Sequence, residues 1–481
     1  MKIRFTILFF LLIISSIQIL PQNANDALRL SEPGIVGNAR SLSMGNSYIT
    51  LSNDINGILA NPAGLGIVER NMITGSFYYS TLDNNTDFFN NTTNYSNNAN
   101  YLSQFGFVYS FPTLRGSFVI ALGYNKTKDL NGAMSFDGFN PGNNSMIQEL
   151  SSMNDDIAFE LGLSYPVFNT NDTYLYDTTL ISGMLNQSGT IIQDGYLDKW
   201  SMAGALELAK GLYVGGTFNI LSGNYNRNRE YFEEDTNNKY SGLLDPSDPV
   251  TKNFQRFMYN DIIDWNLMGW EIELGLLFNL NRFTKFGATI KFPGYYTIEE
   301  DYFINGFSEF ENKAGYDLEP IISQIEYEIK TPFELSGGVS FDVAKLIVTA
   351  QANLIDYTQM EFSDGLEPDI RAQNNREISE IFRSVVSYNL GIEYKLPHLG
   401  LALRGGFLTQ PSPYSNDPSS FDKKYITTGL GFLGSKILAL DIAYAYGWWE
   451  TYGDNYGYDL SRTYQDISSD NLILTVTYFF K

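Results

Sequence analysis

The 481-residue sequence contains no cysteine and a single histidine, His398. Without thiols the chain cannot form disulfides, thiolate zinc sites or a cysteine nucleophile. One histidine in a predicted short turn excludes most histidine-based catalysis and any histidine-rich metal site. Beyond residue 21 no run of about eighteen apolar residues occurs, which argues against a helical membrane protein. We therefore expect no enzyme activity, no catalytic residue, no cofactor and no bound metal.

Positive charge is also scarce, since 31 Lys and Arg residues face 54 Asp and Glu residues, giving a net charge of −23. Nucleic-acid binding needs clustered cations, so nucleic acid is not an expected partner. Aromatic residues make up 15% of the chain, whereas disordered chains of similar charge contain few aromatics. The composition thus indicates a folded chain with much apolar surface to bury or to expose to lipid.

The first 21 residues predict a secretory signal peptide. Lys2 and Arg4 form a positive region, an apolar run covers residues 5–14, and a polar stretch begins near Gln22. This apolar run is too short for a transmembrane helix. We therefore expect an exported protein.

From residue 71 to residue 481 the sequence repeats runs of about ten residues with large apolar side chains at alternate positions. In the run 438–446 they are Leu438, Leu440, Ile442, Tyr444 and Tyr446. A period of two predicts strands, and roughly 9–11 residues is the length that a tilted strand needs to cross a bilayer. Aromatic residues collect at the ends of the runs, as in the girdles of outer-membrane barrels. The fold class is therefore all-β, a transmembrane antiparallel β-barrel.

Strand counting gives fifteen such runs, an odd number that single-chain bacterial barrels avoid. If the run 157–166 belongs to a loop, short and long connections alternate along the whole chain. The long connections then include 80–100, 127–199 and 222–267. The sequence thus predicts about 14 strands, with short periplasmic turns and long outer loops.

Alternation also predicts which charged residues face the lumen: Glu273, Lys285, Lys291, Glu393, Arg404 and Asp441. A three-residue turn at 281–283 sets Glu273 opposite Lys291. A four-residue turn at 397–400 sets Glu393 opposite Arg404. Opposite charges on facing strands stabilise a wall, but a cation among them would also suit an anionic ligand head group. Both interpretations stay open.

Carboxylates cluster in a predicted outer loop, at Glu233, Glu234, Asp235, Asp245 and Asp248. Such a group either faces solvent or holds divalent cations that bridge to lipopolysaccharide phosphates.

Residues 22–70 differ from the rest because small residues dominate and strand alternation is missing. Asn61 and Pro62, followed by Ala63 and Gly64, indicate turns instead of a membrane-spanning element. A lumen of fourteen strands is too wide for side chains alone to fill, since about eight strands is the limit. We expect this segment to be a plug, or hatch, inside the lumen; the alternative is a flexible periplasmic leader.

Several motifs resemble the FadL/TodX family of outer-membrane transporters for hydrophobic compounds. The hatch-like set is Arg40-x-x-x-Met44-Gly45, then Asn53-Asp54, then Asn61-Pro62-Ala63-Gly64-Leu65. Leu403-Arg404-Gly405-Gly406-Phe407 and Pro411-Ser412-Pro413 resemble a late part of the family's barrel. Two features depart from the family: Asn53 replaces an aspartate, and the chain ends on Lys481 instead of an aromatic residue.

The resemblance implies passive transport of long-chain fatty acids, aromatic hydrocarbons or similar lipophiles in a Gram-negative outer membrane. A ligand would enter beside the plug and leave sideways through the wall, with Asp54, Asn61, Pro62, Ala63 and Gly64 in the gate. The expected partners are a hydrophobic small molecule, outer-membrane lipid and lipopolysaccharide, and the barrel-assembly machinery.

The alternative is a PorV-like secretion shuttle that holds exported proteins, because the same hatch motifs occur there. An apolar lumen with one cationic end would favour transport. A polar lumen with an apolar patch on the outer loops would favour protein binding.

Overall fold

The computed structural model describes residues 22–35, 37–152, 156–432 and 437–480; the predicted signal peptide, 1–21, lies outside the described residues. The helices are α1 Ala24–Ser31, α2 Ala39–Ser43, α3 Gly57–Ala60, α4 Met146–Ser152, α5 Ile157–Glu160 and α6 Pro368–Ile381, with 3-10 helices at Pro62–Ile67, Pro249–Thr251, Glu311–Lys313 and Tyr357–Gln359. The strands are β1 Asn71–Phe88, β2 Asn91–Phe111, β3 Phe118–Asp129, β4 Gly132–Asn140, β5 Tyr165–Phe168, β6 Tyr174–Thr178, β7 Leu185–Ala209, β8 Leu212–Glu234, β9 Arg256–Asn279, β10 Thr284–Lys291, β11 Tyr295–Glu309, β12 Gly315–Asp317, β13 Ile321–Lys330, β14 Glu334–Val343, β15 Leu346–Asp356, β16 Glu361–Asp364, β17 Ser384–Leu396, β18 Leu401–Gln410, β19 Lys423–Phe432, β20 Leu438–Asp454 and β21 Arg462–Phe480.

Fourteen strands form a closed antiparallel ring, because β1 pairs with β2 on one side and with β21 on the other. The ring runs β1, β2, β3, β7, β8, β9, β10, β14, β15, β17, β18, β19, β20, β21. The predicted β-barrel and its strand count are confirmed. The run 157–166 is outside the ring, since it contains α5 and the start of β5, which pairs with β6 in a separate two-stranded sheet.

The outer surface of the ring is apolar, as a lipid-facing wall requires. Along β17 the exposed side chains alternate with inward ones and are Val386, Tyr388, Leu390, Ile392 and Tyr394. Among the described residues, no helix is both long and apolar enough to cross a bilayer.

The predicted long connections are partly wrong, because several strands continue into them. β1 and β2 extend through 80–100 and join at a tight turn, where Phe89 and Asn90 have φ values of 45° and 65°. β7, β8 and β9 reach 25, 23 and 24 residues and occupy much of 127–199 and 222–267. Strand sections beyond the bilayer have no lipid-facing side, so they lack the apolar alternation on which the prediction depended.

Candidate functional site

The N-terminal segment, residues 22–70, lies against the inner surface of the barrel. Backbone N–H groups of Ala39 and Gly45 donate to the hydroxyls of Thr475 on β21 and Thr427 on β19, at 2.9 and 3.1 Å. Further bonds join Ser47 to Thr349 on β15 at 3.0 Å, Asn61 to the Leu276 carbonyl on β9 at 3.0 Å, and Ser117 beside β3 to the Gly66 carbonyl at 2.6 Å. These strands are distributed around the ring, so residues 39–66 contact the inner wall on several sides.

The Asn61 side chain forms hydrogen bonds with Ile49, with Leu276 on β9 and with Ala63. Its side-chain nitrogen donates to the carbonyls of Ile49 and Leu276, at 2.9 and 3.0 Å, and its oxygen accepts from the N–H of Ala63 at 3.0 Å. Pro62 begins the 3-10 helix that follows. The structure thus brings the predicted residues Asn61, Pro62 and Ala63 together at the wall.

Asp54 and Gly64 act inside the segment itself. The Asp54 carboxylate accepts from the Tyr48 hydroxyl at 2.6 Å and from the Asn38 amide at 3.0 Å. A Cβ on Gly64 would lie 2.5 Å from the Ser52 carbonyl oxygen, so only glycine fits there. Both residues therefore keep the segment compact, while Asn61 ties it to the wall.

Glycines on the inner wall make room for the segment, and the sequence analysis missed them. A Cβ built on any of them would lie between 2.0 and 2.8 Å from an atom of residues 43–62. They belong to nine strands of the ring: Gly106, Gly123, Gly215, Gly275, Gly287, Gly338, Gly391, Gly406 and Gly429. We name this set the glycine seat. Its signal in the sequence is glycine at inward positions of otherwise regular strands.

Three of the predicted lumen charges form one network with the segment. Glu393 and Arg404 are directly paired in register, as the four-residue turn predicts, and their side chains are 2.7 Å apart. Arg404 also pairs with Asp441 at 2.7 Å. Arg40 of the segment reaches Glu393 at 3.2 Å and the Asn53 side chain at 3.0 Å. The ion pair between Arg40 and Glu393 therefore links the N-terminal segment to the wall.

The second predicted charge group lies on β9 and β10. Glu273 is paired in register with Lys291, as the odd-length turn predicts. The Lys291 ammonium, however, contacts Glu271 at 3.5 Å and Glu334 at 3.9 Å, and Glu271 also binds Lys199. Lys285 lies between Asn279 and Ser340 in the sheet. Of the three predicted residues, Lys291 thus forms ion pairs within the wall, with Glu271 and Glu334.

Residues Glu32 to Gly34 form a bar across the lumen. The Lys128 ammonium on β3 donates to the carbonyls of Arg29 and Glu32, at 2.8 and 3.0 Å. The Glu32 carboxylate pairs with Lys423 on β19 at 2.9 Å and with Lys128 at 3.8 Å. Burial alone would raise the pKa of Glu32, but the charges of Lys423 and Lys128 outweigh burial and lower it. The bar is thus fixed to two separate strands.

The bar separates two cavities. The larger, about 1290 Å³ with its mouth, lies on the side of Lys199, Lys291 and Tyr48. The other, about 840 Å³, lies on the side of Tyr78, Trp449 and Asn471. Pro33, Gly34 and Lys128 line both cavities.

The lining of the larger cavity is mixed, since polar and apolar atoms expose about equal surface there. Amides and hydroxyls outnumber apolar side chains there, and they include Asn46, Asn219, Gln351, Asn353, Ser387, Asn389 and Gln410. A larger apolar cluster forms where α1 packs among Tyr225, Trp265 and Tyr327. Arg29 of α1 stacks over the Tyr225 ring at 4.2 Å.

The barrel wall is interrupted beside the larger cavity. β10 and β11 both pair with β9 but are separated at 292–294, and on the next strand β13 and β14 are separated at 331–333. Each break contains a proline, Pro293 or Pro332, which cannot donate a ladder hydrogen bond. Gly294 and Thr331 join the two edges, through an N–H to carbonyl bond of 2.9 Å and an N–H to hydroxyl bond of 2.8 Å.

A small cavity of about 280 Å³ leads to this break. Leu30, Ser31, Lys291, Tyr296 and Glu334 line both it and the larger cavity, while Thr331 and Pro332 line it at the wall. Outside, the rings of Phe292 and Phe333 lie 5.7 Å apart. The small cavity thus ends at the break, beside the Thr331 and Pro332 side of the wall.

The predicted loop carboxylates have partners in the protein. Glu233 is buried and accepts from the Met146 N–H at 2.8 Å and from Gln187 at 2.9 Å. Asp235 accepts from the N–H groups of Lys239 and Tyr240, at 2.9 and 2.6 Å. Within the described ranges, no group of three or more His, Asp or Glu residues is arranged to hold a metal ion.

No protein-family model matches the chain, and no curated protein matches it in sequence. Solved structures do match. The toluene transporter TodX of Pseudomonas putida is 13% identical, with 93% of this chain and 99% of that chain covered and a TM-score of 0.55. A Pseudomonas aeruginosa FadL homologue is 11% identical, with 94% and 100% covered and a TM-score of 0.59. The CymD monoaromatic hydrocarbon channel is 12% identical, with 93% and 98% covered and a TM-score of 0.52. The fold is therefore that of FadL-type barrels, as the sequence resemblance predicts.

Proposed function

We propose that this protein, on the basis of its FadL-type barrel, carries hydrophobic small molecules across a Gram-negative outer membrane by passive diffusion. The ligands would be long-chain fatty acids or similar lipophiles. Residues 22–70 act as a hatch, and Asp54, Asn61, Pro62, Ala63 and Gly64 set its position. The observation that carries this proposal is the bar at residues 32–34, which lies between two cavities inside a lipid-facing barrel.

The exit we propose is sideways, through the wall break at 292–294 and 331–333. Its support is the small cavity that adjoins the larger one and ends at Thr331 and Pro332. A lateral route suits an apolar ligand because exposure to water costs roughly 25 cal/mol for each Å² of apolar surface. Opening would require that Phe292 and Phe333 move apart and that the three hydrogen bonds between Gly294 and Thr331 break.

A second candidate function is a PorV-like shuttle that binds exported proteins. The many amides and hydroxyls in the lining of the larger cavity favour it, and so does the outer hairpin of β5 and β6, where Phe168, Tyr174 and Tyr176 are 54%, 52% and 56% exposed. Exposed apolar patches on outer loops are typical of protein-binding surfaces.

Native mass spectrometry of the detergent-purified protein separates the two functions. A lipophile that co-purifies in stoichiometric amount, together with uptake that depends on the protein in intact cells, supports transport. An empty barrel with a co-purifying exported protein supports the shuttle. Lipopolysaccharide and the barrel-assembly machinery remain predicted partners, the latter because of the alternating aromatic residues near the C-terminus.

A further inference from the structure

A compact patch of amides and hydroxyls lies on the inner face of β15 and β17. Gln351 is paired in register with Asn389, and Asn353 with Ser387, so the four side chains form a two-by-two group. All four line the larger cavity. We name this group the amide patch.

Hydrogen bonds run through the amide patch in one direction. The Gln351 oxygen accepts from the backbone N–H groups of Tyr48 and Ile49, at 3.0 and 3.1 Å. The Gln351 nitrogen then donates to Asn353 at 2.7 Å. The Asn353 nitrogen in turn donates to Ser387 at 3.0 Å and to Asn389 at 3.4 Å. In this series each residue donates a hydrogen bond to an oxygen of the residue that follows it.

The series of hydrogen bonds ends at Ser387 and Asn389, which take part in it only as acceptors. Within the described part of the chain, the amide hydrogens of Asn389 and the hydroxyl hydrogen of Ser387 have no acceptor, and both groups line the cavity. Because both groups face the cavity, a ligand atom that accepts hydrogen bonds can occupy the place that water would otherwise take. The chemistry of the patch therefore calls for an oxygen acceptor.

The charges of the cavity decide between a neutral and an anionic acceptor. Each lysine that lines it already has a carboxylate partner: Lys128 has Glu32, Lys199 has Glu271, and Lys291 has Glu271 and Glu334. Glu273 adds a further buried carboxylate to the lining. An anionic head group would lose its water and gain no free cation, which is unfavourable.

From these contacts we propose that the larger cavity binds lipophiles with a neutral oxygen-bearing group, such as an alcohol or a ketone, and that Asn389 and Ser387 donate to that oxygen. This inference rests on the proposed transport function and narrows its ligands, because it favours neutral lipophiles over fatty-acid anions. It also explains how a cavity with many amides and hydroxyls serves a lipophilic ligand, since the apolar part of the ligand remains free to extend toward Leu30, Leu59 and Leu408.

The test compares three ligands of equal chain length, decane, decan-1-ol and decanoate at pH 8, by native mass spectrometry of the full-length protein in detergent. We expect decan-1-ol to bind about tenfold more tightly than decane or decanoate, as one or two net hydrogen bonds would give. Asn389→Leu should reduce decan-1-ol to the level of decane and leave decane binding intact. Ser387→Ala should produce a smaller loss.

Asn94→Leu is the matched control, because Asn94 is exposed on the outer hairpin and bonds only to Asn85, at 2.9 Å, within the described residues. Heat-dependent gel mobility verifies that each variant forms a barrel. Equal binding of decane and decan-1-ol, or tighter binding of decanoate, would overturn the neutral-group assignment and leave transport standing. Failure of all three ligands to bind would overturn both.

Discussion

Gly275 on β9 leaves the space that the Asn61 side chain occupies. A Cβ at Gly275 would lie 2.0 Å from the Asn61 side-chain oxygen and 2.9 Å from Pro62 Cδ. No carbon atom fits at 2.0 Å, so the wall and the segment are matched at this point. The same relationship recurs around the glycine seat and defines one position for the segment.

Gly275→Ala should displace the segment without preventing barrel formation. The added methyl group forces Asn61 away from the Leu276 carbonyl, so we expect uptake of a lipophile to change several-fold. Gly337→Ala is the matched control, because a Cβ at Gly337 meets nothing within 4 Å. Equal uptake by both variants would contradict the role of the glycine seat.

Asn61→Ala removes two hydrogen bonds that the buried carbonyls of Ile49 and Leu276 receive. Buried acceptors that lose a partner cost about 1–3 kcal/mol each, so the seated position should be destabilised. We expect faster proteolysis of the segment and altered uptake, with unchanged heat-dependent gel mobility. Unaltered uptake would argue against Asn61 as part of a gate.

Glu32→Gln should weaken the bar in a pH-dependent way. The pKa of Glu32 is lowered in the folded protein, so its ion pairs stabilise the fold above the ordinary glutamate pKa of about 4.3 and lose this effect as the pH falls through the lower folded value. Because Glu32 is partly exposed, we expect a stability difference of about 1 kcal/mol from the wild type at pH 7. Thermal unfolding followed by circular dichroism should show this difference disappearing well below pH 4. A difference that is constant with pH would contradict the ion-pair account.

A disulfide between Gly294→Cys and Thr331→Cys should close the wall break. A Cβ on Gly294 would lie 3.2 Å from the Thr331 hydroxyl oxygen, which is suitable for a disulfide, and the natural chain has no other cysteine. We expect uptake to fall at least tenfold under oxidising conditions and to recover on reduction. Normal uptake by the oxidised form would move the exit elsewhere.

The sequence predicts the membrane-spanning part of the fold well because lipid imposes a rule on it. Outward side chains must be apolar, so alternation reveals each strand, and turn lengths then fix registers such as Glu393 with Arg404. Outer strand sections such as 80–100 obey no such rule, and their Asn and Thr residues look like loop residues. Glycine is equally ambiguous in the sequence, because a glycine within a strand usually suggests a bulge. Only the structure, with the N-terminal segment packed on the wall, shows that Gly275 and Gly406 belong to the glycine seat.

The candidate site was predictable only where it is local in sequence. Asn61, Pro62 and Gly64 belong to one short motif, whereas the bar depends on Glu32, Lys128 and Lys423, which are far apart in the chain. The wall break likewise depends on two prolines that become neighbours only through strand pairing. A short stretch of sequence does not predict contacts between residues that are far apart in the chain.

The most direct test of the account is to fix the N-terminal segment to the wall. The hydroxyl oxygens of Ser47 and Thr349 are 3.0 Å apart, so cysteines at both positions should form a disulfide in this cysteine-free chain. The matched control is Thr74→Cys with Thr477→Cys, whose hydroxyls are 3.1 Å apart and join two wall strands only. If the segment must move for a lipophile to pass, uptake by the oxidised Ser47–Thr349 variant should be lost and should return on reduction, while the control transports in both states. Undiminished uptake with the segment locked would show that the segment does not have to move for a lipophile to pass.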